Sequence, residues 1–434
     1  MQHCPQAAWK IIRNEFPWVT TTCCGTHVLS LELKDMAKLP QVAAIIEKVQ
    51  LVLKLFWGRK RWPLRRLREA IYKRTGLSFG LYRAKVTRFA GKIREMQRLL
   101  RLKEDLQGIV VTAECARQKF STRGRREQDL QEGEVLDKDI GSKVRAILLD
   151  EEAFWKPLTV LLHVAMPLIK LLRGLDGKQP MMGKVYNRMF QIGERIAGLQ
   201  QKGVPWAASM KRIHADRWEY IHSDFHSAGY ALDPEFIECV GDLDDTTQTG
   251  VLSVIRRMCL RDAMASSGNK ELTLSSPEVV ERVAQAEREF SVYQEPKGAF
   301  VSEKARDSCN NNAEIMEPAA WWSMYGRHLP ILSSIASRVL AQPASASAAE
   351  RNWSVYGRIH SAQKARMKHG TADKLVYCHE TLHLEKEMVD AGWEPDAARW
   401  ESDCESGNES ETPNDFADEQ ELQLDTEEIL SLCA

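Results

Sequence analysis

Two residue pairs have spacings at which side chains can share a metal ion. Cys24 and His27 form a CxxH motif, which can bring two zinc ligands together, but no second CxxC or HxxxH pair lies nearby to complete a four-ligand site. The alternative is that both are buried structural groups at the end of a strand. His222 and His226 would share one helix face with Asp224 between them, but the glutamate of an HExxH motif is absent. We therefore predict packing roles for both pairs and no metal site.

A carboxylate and several apolar residues near the C-terminus form a second candidate site. Glu350 follows the break at Pro343 and opens a predicted helix that carries Trp353 and Tyr356. A carboxylate in a first helical turn can stabilise the helix dipole or bind a metal ion, but magnesium chemistry needs more than one such oxygen donor. Further along, one predicted helix face suits intramolecular packing and dimerisation equally, and it carries Ala372, Leu375, Val376, His379 and Leu382.

A third candidate is Phe89, which follows Arg88 and lies downstream of Arg83 and Lys85. An aromatic ring beside arginines can stack on an unpaired base while the cations hold phosphate, as in single-strand binders. A phenylalanine packed in the core is the alternative interpretation of the same residues.

The elements that must position these residues are predominantly helical. Residues 16–24 are rich in aromatic and β-branched types, which predicts one short buried strand. A long helix should follow, because apolar residues recur at helical spacing at Val42, Ile45, Ile46, Val49, Leu53 and Phe56. Further helical patterns cover 154–199 with a turn at 174–183, then 206–257 and 317–387, while polar segments are predicted at 121–142 and within 268–312. The pattern is typical of a mainly α protein with one or two strands.

Length and composition limit the class of protein. A chain of 434 residues can form two or three cores, and 44% hydrophobic with 28% charged residues exclude a mostly disordered or collagen-like chain. The longest apolar stretch, 158–172, is shorter than the roughly 20 residues of a membrane span, so no transmembrane helix is expected. No secretory signal follows Met1, and the ten cysteines are therefore expected to stay reduced.

The net charge of zero conceals two oppositely charged blocks. Residues 54–126 contain 22 Lys or Arg and five Asp or Glu, a net charge of +17. Residues 401–434 contain 12 acidic residues and no Lys or Arg, and we expect this acidic tail to be disordered. The basic block is either a solvated helical face or a site for a polyanion such as DNA, and the tail could shield it.

Five blocks of sequence, in order, resemble the hAT superfamily of transposases. The first contains the CxxH motif, the second has Phe89 where the family has the tryptophan of an Arg-Trp pair, the next two resemble the helical insertion domain, and the last resembles the C-terminal dimerisation region. The blocks are residues 16–40, 85–106, 154–186, 217–236 and 346–384.

The resemblance implies a ribonuclease H-like core interrupted by an all-helical insertion. It places Glu350 at the final acidic residue of an Asp, Asp, Glu site for Mg²⁺, and Phe89 where the family tryptophan stacks on a flipped base. The family aspartates precede the CxxH block, but the first aspartate here is Asp35, after it. We therefore expect a chain that begins past the second aspartate, needs no cofactor and is catalytically inactive by itself. The alternative is a fragment of an active transposase that performs Mg²⁺-dependent strand cleavage and transfer once completed.

These observations predict four segments: a partial ribonuclease H-like core at 1–56, a helical insertion at 57–312, the C-terminal core helix and dimerisation region at 313–390, and the acidic tail at 391–434. We expect a nuclear protein without membrane contact that forms a homodimer or larger assembly and binds DNA nonspecifically in a salt-sensitive way. A third possibility is an interaction module in which the basic block contacts only the acidic tail. The predicted DNA-binding residues are Arg61, Arg65, Arg66, Arg68, Lys85, Arg88 and Phe89, and the predicted dimerisation residues are Trp353, Tyr356, Leu375, Val376 and Leu382.

Overall fold

The structure is a computed structural model, and it describes residues 4–57, 62–77, 79–82, 89–117, 140–177, 180–295, 300, 302–310, 316–360 and 367–389. All regular secondary structure within these ranges is helical, which confirms the mainly α prediction. The described residues form two compact units that interleave along the sequence. The first unit draws on Met1–Val28, Leu171–Gln191 and Ala215–Trp393, and the second on Leu29–Lys170 and Ile192–His214. The predicted acidic tail lies outside the described residues.

The helices follow one another through short connections. The N-terminal half contains α1 (Cys4–Glu15), α2 (Gly25–Met36), α3 (Pro40–Phe56), α4 (Trp62–Thr75), α5 (Phe89–Arg101), α6 (Lys103–Val110), α7 (Ala113–Arg117), α8 (Ile140–Leu149) and, after a π-helical turn at Glu151–Trp155, α9 (Lys156–Asp176). The C-terminal half contains α10 (Met182–Gln201), α11 (Ala207–Ile221), α12 (Asp224–Leu232), a 3₁₀ helix at Pro234–Asp242, α13 (Asp245–Ser267), α14 (Pro277–Gln294), α15 (Glu303–Asn310), α16 (Pro318–Tyr325), α17 (Pro330–Leu340), α18 (Ser347–Ile359) and α19 (His369–Val389).

The second unit has a core built on α3. Pro40 starts this helix, where a missing backbone N–H costs nothing, and its apolar stripe buries Val42, Ile45 and Val49 while Ile46 is half-buried. Helix α3 packs against α8, and α6 packs against both α8 and α4. The stripe predicted from the sequence is therefore the face that α3 turns to its neighbours.

The helical run Glu151–Asp176 is long and apolar enough to cross a membrane by length and composition. Most of its apolar stretch, 72%, is buried inside the protein, as in a core helix, so these two criteria are weak evidence for a membrane span. The helix continues through Pro167.

The first unit is centred on buried aromatic residues. The Trp321 indole N–H donates to the Ala305 carbonyl at 3.0 Å, and the Trp322 indole N–H donates to the Leu232 carbonyl at 2.7 Å. Both bonds satisfy the polar atom of a fully buried ring, which would otherwise oppose burial. They tie α16 to α15 and to the end of α12.

Two sequence-based expectations were wrong. Residues 16–24 form no strand and are half-buried or exposed, because a β-branched run needs a neighbouring strand to bond its backbone and none is present in the described part of the chain. His222 and His226 do not share a helix, since α11 ends at Ile221 and α12 starts at Asp224. The range 268–312, within which a polar segment was predicted, also contains α14 and α15. Of the predicted loop 121–142, residues 140–142 belong to α8 and the rest lies outside the described residues.

Candidate functional site

The start of α18 is held by contacts with the segment before α2. The Gly25 N–H donates to the Ala344 carbonyl at 3.0 Å, and the Ala346 N–H lies 3.2 Å from the Cys24 sulfur. A side chain at position 25 would press on the Ala344 carbonyl, so glycine is needed for this close approach. In the first turns of α18, the Arg351 guanidinium donates to the Asp176 carbonyl at 2.8 Å.

The preceding helix, α17, is fixed by two buried or half-buried carboxylates. Glu289 accepts the Leu332 backbone N–H at 2.8 Å, which satisfies an otherwise unpaired donor in the first turn of α17. Arg338 makes two parallel bonds to Asp262 at 2.7 and 2.9 Å, a geometry specific to a guanidinium and a carboxylate. Arg282 donates to the same carboxylate at 3.2 Å. These contacts join α17 to α13 and α14.

Helices α18 and α19 pack against each other through small apolar residues. Val355 on α18 is buried, as are Ala372 and Val376 on α19, which lie one helical turn apart on the same side. Val376 was predicted as a dimerisation residue, and the structure places it on this intramolecular side of α19 rather than on an exposed one.

A row of rings follows the solvent side of α18 and reaches the start of α19. The Trp353 and Tyr356 ring centroids lie 5.5 Å apart, those of Tyr356 and His360 5.8 Å, and those of His360 and His369 4.7 Å. The Tyr356 hydroxyl also lies 2.8 Å from His369 Nδ1. These contacts fix the relative orientation of the two helices where α19 begins.

Beside this row lies an exposed apolar area, here called the α18/α19 surface and defined by Trp353, Leu375 and Leu382. The exposed fractions of these side chains are 71%, 44% and 65%. Leu375 and Leu382 are two helical turns apart and therefore lie on one side of α19. Tyr377, on another side of α19, is 73% exposed and was not singled out from the sequence, since it falls outside the apolar spacing.

Residues 300–382 match the model of the hAT family C-terminal dimerisation region. This part of the chain is therefore similar to the hAT family C-terminal dimerisation region. The matched range contains α15, α16, α17, α18 and the part of α19 up to Leu382. All five predicted dimerisation residues lie within it, two on α18 and three on α19. No curated protein matches the chain in sequence.

The CxxH motif of Cys24 and His27 does not bring its two side chains to a common ligand position. The Cys24 sulfur lies 3.1 Å from the Thr26 hydroxyl and 3.8 Å from that of Ser345, and Thr26 lies 3.1 Å from the Ser347 hydroxyl. His27 is exposed on α2 rather than buried. Cys24 thus belongs to a cluster of hydroxyls that joins the start of α2 to the start of α18.

The sequence resemblance implies that Glu350 is a Mg²⁺ ligand. Glu350 lies exposed in the first turn of α18. Among the described residues, no group of three or more His, Cys, Asp or Glu side chains is placed to hold a metal ion. Magnesium requires several oxygen donors around one point, so the described residues do not fit the ion that the hAT resemblance implies.

The predicted DNA-binding arginines of α4 are partly engaged with carboxylates of the same unit. Arg66 donates to Glu69 at 2.8 Å and to Glu114 at 2.6 Å, and these hydrogen bonds raise its pKa. Arg65 lies 3.6 Å from Glu69, and the Trp62 indole N–H donates to Glu114 at 2.8 Å. The structure keeps Arg65, Arg66 and Arg68 on one helix. Arg61, Lys85, Arg88 and the side chain of Phe89 lie outside the described residues.

Arginines of α5 contact aromatic rings of the segment before that helix. The guanidinium groups of Arg98 and Arg101 lie 5.2 and 5.4 Å from the Phe79 ring centre, and that of Arg94 lies 5.1 Å from the Tyr82 ring centre. Such contacts stabilise a cation by about 0.5–1 kcal/mol at exposed sites. Some of the positively charged side chains in residues 54–126 are therefore engaged in contacts within the second unit.

Proposed function

We propose that this chain is a transposase-derived protein that self-associates through the α18/α19 surface, as a homodimer or a larger assembly. The observation that carries the proposal is the exposure of Trp353, 71%, within the region that matches the hAT dimerisation model. Tryptophan is enriched among the residues that dominate binding energy at protein interfaces. Leu375 and Leu382 add exposed apolar area on α19, the helix that packs against α18.

The geometry also favours a pre-organised surface. The ring contacts from Tyr356 to His369 hold the first turn of α19 against α18, so little side-chain freedom remains to be lost on association. A two-fold symmetric dimer would use the α18/α19 surface of both copies. Each exposed residue would then contribute twice to the binding free energy.

Paired alanine variants test this proposal. Trp353→Ala and Leu382→Ala should each weaken self-association, by about thirtyfold for Trp353 if truncation costs about 2 kcal/mol. Phe190→Ala is the matched control, because Phe190 is 61% exposed on α10 of the same unit and outside the matched region. Equal dissociation constants for wild type, Trp353→Ala and Leu382→Ala, measured by sedimentation, would contradict this site.

We further propose that the chain does not cleave DNA by itself. The support is chemical: strand cleavage by this type of site needs several carboxylates around its metal ions, and Glu350 lies exposed without such a group among the described residues. Incubation with Mg²⁺ and a DNA substrate should leave the DNA intact. Cleavage that disappears in Glu350→Gln would instead favour the alternative, an active hAT transposase.

We also propose nonspecific, salt-sensitive DNA binding by the second unit, and with it a nuclear location. The support is the net charge of +17 over residues 54–126 and the exposure of Arg65 on α4. A fluorescent fusion of the full chain tests the location, and nuclear exclusion would contradict it.

A further inference from the structure

Helix α4 has one buried side and one exposed side. Pro63, Leu67 and Ile71 recur every four residues and are buried where α4 packs against α6 and α3. The other side carries Arg65, whose side chain is 65% exposed, and Tyr72, which is 60% exposed. Because these two residues are seven positions apart, they lie on one face of the helix, about 10 Å apart along its axis. This exposed face takes no part in the packing of α4.

The Tyr72 side chain has no partner within the described part of the second unit. It makes no hydrogen bond, ion pair or ring contact there. Other aromatic rings of this unit are engaged, since Phe154 and Trp155 are buried and arginine guanidinium groups lie over Phe79 and Tyr82. The Tyr72 ring is therefore open to a planar group from solution.

Positive charge surrounds this open ring. Residues 62–75 contain five Lys or Arg and one Glu, a net charge of +4. Arg66 and Arg74 are bound to carboxylates of α7 and α6, at 2.6 and 2.7 Å. Arg65 and Lys73 lie exposed. An exposed ring beside exposed cations suits a partner that carries both planar groups and negative charge.

We propose that this face of α4 binds single-stranded nucleic acid and that Tyr72 stacks on one of its unpaired bases. The inference rests on the DNA binding proposed above for the second unit, and it names the form of nucleic acid that the unit prefers. Arg65 and Lys73 bind phosphates beside the base that the ring holds, the combination found in single-strand binders. Tyr72 is not the aromatic residue that the sequence resemblance assigns to base stacking, which is Phe89 at the start of α5.

A duplex does not offer the same contact. Its bases are paired and stacked on one another, so a base reaches a ring on an exposed helix only after it has been unpaired and unstacked. Phosphates are present in both forms, and cations bind them without regard to pairing. Tyr72 therefore distinguishes single strands from duplexes, whereas Arg65 does not.

An acidic protein segment is the other class of partner that positive charge attracts. Carboxylate side chains engage the cations but leave the ring of Tyr72 uncovered. Every unpaired base, in contrast, presents a flat face on which an aromatic ring can stack. The open ring of Tyr72 thus favours nucleic acid over an acidic protein.

Binding of the full chain to three labelled probes tests the proposal: an oligothymidine, an abasic single strand of the same length, and a random duplex. Tyr72→Leu removes the ring from an exposed position and introduces a strong helix former, so α4 is retained. Tyr72→Phe keeps the ring. Tyr377→Leu is the matched control, because Tyr377 is a 73% exposed tyrosine of the first unit.

We expect Tyr72→Leu to weaken binding of the oligothymidine by about tenfold and to leave binding of the abasic strand and the duplex within about twofold of wild type. The slope of log affinity against log salt should not change, because no charge is removed. Tyr72→Phe and Tyr377→Leu should bind all three probes as wild type does.

Salt-sensitive binding by wild type that Tyr72→Leu leaves unchanged, or weakens equally for all three probes, would overturn the stacking role alone. Loss of polyglutamate binding in Tyr72→Leu with unchanged oligothymidine binding would also overturn it, because the face would then bind an acidic protein. Wild type that binds none of the three probes in a salt-dependent way would contradict the DNA-binding proposal itself, and the stacking role with it.

Discussion

The Tyr356 hydroxyl lies 2.8 Å from His369 Nδ1, and this contact joins the last turn of α18 to the first residue of α19. The imidazole of His369 is also stacked on that of His360, with ring centroids 4.7 Å apart. Because these residues connect the two helices at one end, they determine how Trp353 on α18 is placed relative to Leu375 and Leu382 on α19. The arrangement of the α18/α19 surface therefore depends on contacts between α18 and α19 within one chain.

The first prediction separates the hydroxyl of Tyr356 from its ring. Tyr356→Phe keeps the ring contacts with Trp353 and His360 but removes the bond to His369, so self-association should weaken by about fivefold, as expected for one exposed hydrogen bond. Tyr356→Ala should weaken it more. Sedimentation equilibrium measures both, and an unchanged dissociation constant in Tyr356→Ala would show that the ring row does not position the surface.

The second prediction concerns the close packing of α10 against Asp233. A Cβ at Gly183 would overlap the Asp233 carboxylate, which is buried and accepts Lys184 Nζ at 2.9 Å and the Glu235 N–H at 3.0 Å. Gly183→Ala should therefore lower the free energy of unfolding by about 2 kcal/mol or more. Chemical denaturation gives this value.

Gly198 on the same helix provides the control. A Cβ there would meet nothing within 4 Å, so Gly198→Ala should stabilise the protein by about 0.5–1 kcal/mol through helix propensity. If both variants changed stability equally, the contact with Asp233 would not be the cause.

The third prediction is a loss of stability at acidic pH. Burial lowers the pKa of His226 from 6.5 to about 4, and burial likewise lowers that of His163 to about 4. Between about pH 6.5 and pH 4, each of these histidines binds a proton in the unfolded chain but not in the folded chain. The two buried histidines therefore contribute fully to the free energy of unfolding above about pH 6.5. Their contribution decreases as the pH falls and is lost near pH 4.

Each buried imidazole should lower the free energy of unfolding by about 2 kcal/mol between neutral pH and about pH 5. Denaturation of His226→Asn at the two pH values should show a smaller decrease than wild type, because Asn does not titrate. His27→Asn is the control on an exposed histidine. A wild-type decrease that His226→Asn leaves unchanged would contradict the burial argument.

The fourth prediction tests DNA binding. Arg65→Ala should weaken binding of a random duplex and reduce the slope of log affinity against log salt by up to about one, because the Arg65 side chain is 65% exposed. Arg66→Ala should have less effect, because Arg66 is bonded to Glu69 and Glu114. Affinity that does not change between low and moderate salt would exclude an electrostatic DNA site.

The sequence predicted the helices and the C-terminal region better than it predicted local breaks. The spacing of Val42, Ile45 and Val49 identified the buried face of α3, because one apolar stripe on a long helix has few alternative uses. Residues 16–24 were misassigned, since β propensity expresses how a residue packs beside a neighbouring strand and the described chain offers none. The break between α11 and α12 had a signal in Ser223 and Asp224, which are typical of a helix start.

Burial of individual site residues could be predicted only in part. Leu375 and Val376 belong to the same predicted stripe, yet one is 44% exposed and the other buried, because α18 covers only one side of that stripe. The exposure of Trp353 likewise depends on how α18 packs against other helices. The spacing of apolar residues within α18 does not determine that packing. The intramolecular pairing of Arg66 depends on Glu114, which is distant in sequence.

The most direct test of the central claim is the molar mass of the full chain in solution. One copy has a mass of 49.4 kDa. At roughly tens of micromolar, light scattering should report at least twice that value, and Trp353→Ala should move it towards that of one copy while Phe190→Ala should not. A mass of a single copy at all concentrations would contradict self-association through the α18/α19 surface.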